Sequence, residues 1–96
     1  MASNFRIVTH RNSDTLHLKL MGDFDGTSAF ELLDALKRNC IGASRAIIHT
    51  SSLTGVHPFG KDVFQNRFSE VSNRFAQILF TGENASQVSP DKGTCL

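Results

Sequence analysis

The sequence contains no tryptophan and no tyrosine, so its aromatic character rests on eight phenylalanines. A ring without a polar edge packs into cores and apolar contacts more readily than it reads bases or sugars, which weighs against nucleic-acid recognition. Cysteine is almost as scarce. Cys40 and Cys95 lie far apart and outside any paired spacing, which excludes a zinc or redox motif, and Cys40 is expected to be a small buried apolar group. No apolar run approaches the ~20 residues that cross a bilayer. The start, Met1-Ala2-Ser3-Asn4, lacks the basic and apolar regions of a secretory leader. Charge of one sign is missing too: ten basic and nine acidic residues are interspersed, giving a net charge of +1 and no footprint for a nucleic acid or an anionic membrane. The expectation is a cytoplasmic protein that binds neither.

What is present is one domain's worth of alternating patterns. The chain of 96 residues is expected to form a single domain over 4–89, with 90–96 as a frayed tail. Phe5–His10 and Thr15–Met21 read as a hairpin joined by the turn formers Arg11-Asn12-Ser13-Asp14. In its second strand Leu16, Leu18 and Leu20 alternate with His17 and Lys19, so His17 is expected to face solvent. Gly22–Ser28 reads as a turn feeding a helix. Ser28 and Glu31 have capping-box spacing, and Asp25 or Thr27 are alternative caps. Phe30, Leu32, Leu33, Leu36 and Cys40 recur at helical spacing, and Ile41-Gly42 supplies the stop.

Arg45–Thr50, around Ala46-Ile47-Ile48, reads as a short strand buried on both faces, followed by a loop over Ser51–Gly55. A second helix from Pro58 carries Phe59, Val63, Phe64, Phe68 and Val71 on one stripe. Phe75–Thr81 is a further strand ending at Gly82, and a short helix follows around Asn84–Val88. This order predicts a small α/β sandwich with a mixed, largely parallel sheet of about four strands and helices on one face. Phe30, Leu33, Leu36, Val63, Phe64 and Phe68 should meet over Ile47 and Ile78.

The chain is organised around Val56-His57-Pro58-Phe59-Gly60, where a strand gives way to a helix. Pro58 suits a first helical turn because its missing N–H would be unpaired there. His57 then sits at a helix N-terminus and has three readings: a cap or surface group, a pH-sensitive contact, and a phosphohistidine or metal ligand. His49, expected near it in space, could share a metal with it, but no third ligand is indicated and no metal or cofactor is expected.

A hairpin, the turn Gly22-Asp23-Phe24-Asp25 before an amphipathic helix, an apolar strand, a junction before a second helix and a strand ending in glycine together resemble the STAS domains. That family includes bacterial anti-sigma factor antagonists, and the likeness spans residues 5–88. The resemblance implies a non-catalytic bacterial regulator in signal transduction and transcription regulation. In it a partner kinase phosphorylates a serine at the start of the second helix. The family's junction reads apolar-Asp-Ser-Ser-Gly; here Val56 holds the apolar position, His57 the aspartate, Pro58 and Phe59 the serines and Gly60 the glycine. Phe59 stands at the phosphoacceptor position and cannot be phosphorylated. The implied remainder is a constitutive binding module for an anti-sigma factor, kinase-like protein or other regulator, with a weak homodimer left open. Its partner-binding residues would be His57, Pro58, Phe59, Gly60 and Asp25. Phe59 is either an exposed anchor or a core residue.

A different class matches by letters. Asp23-Phe24-Asp25-Gly26-Thr27 resembles the Asp-x-Asp-Gly-Thr signature of haloacid dehalogenase-like phosphatases, in which Asp23 would attack phosphorus and Asp25 act as acid/base beside Mg²⁺. Ile78–Gly82 resembles that family's second motif. Against this, Gly22 separates Asp23 from a strand that alternates, and Glu83 and Asp91 are too far apart to supply the later acidic pair. The phosphohydrolase is kept as the alternative; no catalytic residue is expected.

Overall fold

Alternation along the second strand decides how the sheet is covered. In the computed structural model, which describes residues 4–88 (apart from the side chain at position 86) and the backbone of residues 94–95, β1 (Arg6–Asn12) and β2 (Thr15–Phe24) form the expected hairpin. They are antiparallel, with His10 opposite His17. Leu16, Leu18, Leu20 and Phe24 of β2 all turn to one face and are buried. That face receives α1 (Gly26–Arg38), α2 (Pro58–Arg67) and the short α3 (Ser69–Ser72) and α4 (Ala85–Val88), whose buried residues Leu32, Leu36, Phe64, Val71 and Val88 join the same cluster.

β3 (Arg45–Val56) and β4 (Gln77–Thr81) pair parallel to β2 and to each other, and β5 (Thr94–Cys95) adds two residues parallel to β4. Among the described residues the order β1-β2-β3-β4-β5 is therefore a five-stranded mixed sheet in which the hairpin supplies the antiparallel pair. The expected architecture holds, with one small strand more than the sequence pattern suggested. Residues 90–93 and 96 of the expected tail lie outside the described residues; between them the backbone of β5 is hydrogen-bonded to the sheet.

Several local expectations need correction. β2 continues through Gly22-Asp23-Phe24, which the turn formers had suggested was a loop, and β3 runs to Val56 where Ser51–Gly55 had suggested another. Each strand supplies the other's missing ladder bonds: Gly22 pairs with Leu53 and Asp23 with Gly55, through irregularities in register. Long-range pairing overrides local turn preference here. β3 is not buried on both faces either. Ala46 and Ile48 point into the core, while Ile47 is half-buried on the opposite face, so the helices meet Ile48 and Ile78, not Ile47.

The helices differ from expectation in one residue of consequence. The inward stripe of α1 is Ala29, Leu32, Leu33 and Leu36, and Phe30 is 48% exposed. Cys40 follows the helix and is half-buried, with its Sγ 3.3 Å from the Lys37 carbonyl. In the second helical stretch, Phe64 and Val71 are buried, but the run breaks at Phe68 and resumes as α3.

Candidate functional site

β2 and β3 run parallel and finish together, with Phe24 opposite Val56. One more bond, from the His57 N–H to the Phe24 carbonyl at 2.9 Å, carries the pairing past the strand ends. Both chains then turn into helices, so α1 and α2 begin side by side at the carboxyl edge of the sheet. Open α/β sheets commonly place their binding sites at that edge.

Asp25 caps α1. Its Oδ1 accepts from the Ser28 N–H at 2.9 Å and lies 3.0 Å from the Ser28 hydroxyl, which is shared with the Asp23 carbonyl at 2.9 Å. Of the alternatives in the sequence, the cap is therefore Asp25, and Ser28 is a buried donor inside the helix. The bond from the Ser28 N–H, aided by the Ser28 hydroxyl and by His57, holds the Asp25 carboxyl below its ordinary value of 3.8. Asp25→Ala should cost about 1 kcal/mol of stability in thermal melting, the usual worth of such a cap. Because the folded carboxyl is the stronger acid, its contribution is complete above the unfolded value and is lost as pH falls through the folded one. Asp25→Asn should keep the cap and flatten this acid limb.

α2 starts differently. His57 is its N-cap with an extended backbone and no side-chain cap bond, and Pro58 fills the first turn. His57 and Pro58 are exposed. Gly60 is buried against the α1 start: a Cβ there would lie 2.6 Å from the Asp25 carbonyl carbon and oxygen. Next to it the Phe59 ring lies over Gly26, where a Cβ would come within 2.6 Å of two ring carbons, yet Phe59 remains 69% exposed. The structure thus brings Asp25, His57, Pro58 and Phe59 to one surface, with Gly60 buried beneath it and not itself open to a partner, and of the two readings of Phe59 it shows the exposed one.

Two neighbours were not anticipated from the sequence. Phe30 lies one helical turn beyond Gly26 on α1, and the Arg67 guanidinium carbon stands 5.1 Å from the centre of its ring. Arg67 falls two turns beyond Phe59 on α2, with half-buried Val63 between them at helical spacing. Two exposed phenylalanines and one arginine therefore border the α1–α2 seam. The signal was available: Ala29, Leu32, Leu33 and Leu36 alone complete the inward stripe and leave Phe30 outside it.

Other expected groupings do not form. His49 lies mid-strand in β3 and contacts His17 and Thr81, not His57. Among the described residues no group of three or more His, Cys, Asp or Glu side chains could hold a metal. The two aspartates of the phosphatase-like signature serve separate structural bonds, Asp25 in the cap and Asp23 accepting from the Thr54 hydroxyl at 2.7 Å. β2, which carries Asp23, has an antiparallel neighbour on one side and only one parallel neighbour. The phosphohydrolase alternative is not supported. A shallow groove of about 410 Å³ between β1 and α1, floored by Phe5, Ile7 and Ala35, shares no residue with the α1–α2 surface.

No family model and no curated protein matches the sequence. Among solved structures, the unphosphorylated anti-sigma factor antagonist SpoIIAA superposes with a TM-score of 0.64 at 12% identity, covering 96% of this chain and 86% of that one. An uncharacterised protein from Shewanella loihica PV-4 with a SpoIIAA-like fold matches with a TM-score of 0.63 at 17% identity, covering 100% of this chain and 90% of that one. A crystal structure of Mglu matches with a TM-score of 0.67 at 16% identity; there the likeness covers 90% of this chain but 20% of the other. The domain is STAS-like in fold, of the SpoIIAA type.

Proposed function

We propose that this chain is a non-catalytic regulatory module of the bacterial cytoplasm, resembling the anti-sigma factor antagonists, that binds a protein partner through the surface where α1 and α2 begin. The observation that carries the reading is Phe59. It is 69% exposed at the start of α2, where the family it resembles keeps a phosphorylated serine. A large apolar side chain left in water at a helix start contributes little to folding and much to a contact that desolvates it. Phe30 and the stem of Arg67 extend the same surface, and phenylalanine beside arginine is a composition enriched in protein interfaces. Without a hydroxyl at position 59, binding there is set by concentration and not by phosphorylation of that residue.

The partner is an anti-sigma-factor-like or kinase-like regulator. The test is to isolate it on the wild-type protein, purify it, and measure affinity and melting on the same variants. Phe59→Ala should weaken binding by about 1–3 kcal/mol, the range for a truncated anchor, with melting little changed. Phe59→Asp should weaken it further, because a charge is then desolvated without a partner. Unchanged affinity in a folded Phe59→Asp protein would exclude this surface.

A further inference from the structure

The sheet face opposite the helices carries a row of side chains that plays no part in the proposed contact. His10 faces His17 across the hairpin, with ring centres 6.3 Å apart, and His17 reaches diagonally to His49 on β3. His49 in turn lies 2.9 Å from the Thr81 hydroxyl of β4 through its Nδ1. His17 Nδ1 and His49 Nε2 are 3.0 Å apart. Their rings are only 14° from parallel, but the centres are 5.3 Å apart, the separation expected when the two nitrogens lie on the line joining them. The contact is therefore an in-plane N–H···N hydrogen bond, with the rings edge to edge and not face to face.

Such a bond has a fixed proton count. One nitrogen must carry hydrogen and the other must offer its lone pair. If His17 donates, a first added proton takes His17 Nε2 and leaves the contact intact. If His49 donates, the first proton takes His49 Nδ1, and the Thr81 hydroxyl turns to accept from it. In both directions the second proton has one place left, the accepting nitrogen inside the contact. Two N–H groups then point at each other and the bond is lost.

We propose that His17 and His49 form a proton-sensitive latch on the open face of the sheet, closed while the pair holds at most one added proton and opened by the second. The surrounding groups oppose that second proton. β1 contributes His10; β2 contributes Lys19, directly opposite His49; β3 contributes Arg45, on the same face and diagonal to His17; the described residues of β4 contribute neutral groups there, Thr81 among them. Among the described residues no carboxylate pairs with any of the three imidazoles. In keeping with this, burial, and then the charges of His17 and Lys19, push His49 below its ordinary value of 6.5. An imidazole that is the weaker base when folded leaves the unfolded chain holding more protons. Stability is then complete above about pH 6.5 and declines as pH falls from there towards the folded value. Opening the latch adds positive charge to a face that already carries Lys19 and frees the diagonal between β2 and β3.

The test is an imidazole nitrogen NMR titration of the full chain from about pH 8 to about pH 4. The His17–His49 pair should take up its two protons in separate steps, and the hydrogen-bonded nitrogen signals should be lost with the second. In His17→Gln, which cannot take a proton, His49 should titrate in one step shifted upward, and the melting temperature should depend less on pH between about 6.5 and 5. Independent titration of both imidazoles near the ordinary value in wild type would overturn the latch, as would a His49 curve unchanged by His17→Gln. The wild-type titration decides the matter alone if the variant does not fold.

Discussion

Truncation of Phe64 to alanine is expected to be the most damaging single change in this chain, lowering stability by about 3–5 kcal/mol. Phe64 is fully buried on α2, and its ring meets those of Phe24, Phe68 and Phe80 with centres 6.2, 5.6 and 6.0 Å away. The contacts with Phe24 and Phe80 are close to perpendicular, the arrangement that adds attraction beyond area burial. Those partners come from β2 and β4, so the cavity would open between the helices and the sheet and could not close by moving one side chain. For a domain of this size the loss corresponds to a fall of roughly 4–8 °C in Tm per kcal/mol. Thermal or urea unfolding measures it. A cost below about 0.5 kcal/mol, the range of surface changes, would mean that Phe64 is not at the centre of the core.

Gly60→Val is expected to follow, and to damage the candidate surface as well as the fold. The obstacle at Gly60 is the Asp25 backbone, with Cα at 2.8 Å from a Cβ placed there, and backbone at a helix start cannot rotate aside. α2 must move away from α1, at about 1–3 kcal/mol for an overpacked contact, and Phe59 moves with it. Gly26→Ala provides the internal comparison. Its Cβ would meet only the Phe59 ring, which is largely exposed and can swing out. Gly26→Ala should therefore melt close to wild type while altering partner affinity, whereas Gly60→Val should lose both. Equal melting temperatures for the two variants would show that the two helix starts are not in contact as described.

The second prediction rests on the junction of two strands with two helices, and the sequence marked that junction clearly. A proline in a first helical turn and apolar stripes at helical spacing are properties of contiguous residues, so one strand read in isolation carries them. The likeness to STAS domains was legible for the same reason: it lies in the order of elements, and the structure has that order. Four of the five candidate partner-binding residues, His57 to Gly60, are consecutive, so the sequence alone groups them; that they bind a partner is the proposal.

The remaining features depended on partners distant in the chain. Local chemistry gave Gly22–Phe24 and Ser51–Gly55 as turns. Each became strand because the other lay beside it and completed its backbone hydrogen bonds. The exposure of Phe30 and Phe59 also lay beyond hydrophobicity, since a phenylalanine is apolar whether or not a neighbour covers it. Coverage was decided by how the starts of α1 and α2 seat on each other, with Gly60 against Asp25 and Phe59 left outside over Gly26. The histidine row is the extreme case. His17 and His49 are 32 residues apart, and only the parallel register of β2 and β3 makes them a pair. The sequence by itself determined the class of fold and the location of the junction, because those are written in local periodicity and order. Which side chains face water, and which imidazoles share a proton, were decided by the tertiary structure, because burial and hydrogen bonding are relations between residues that the sequence alone does not place together.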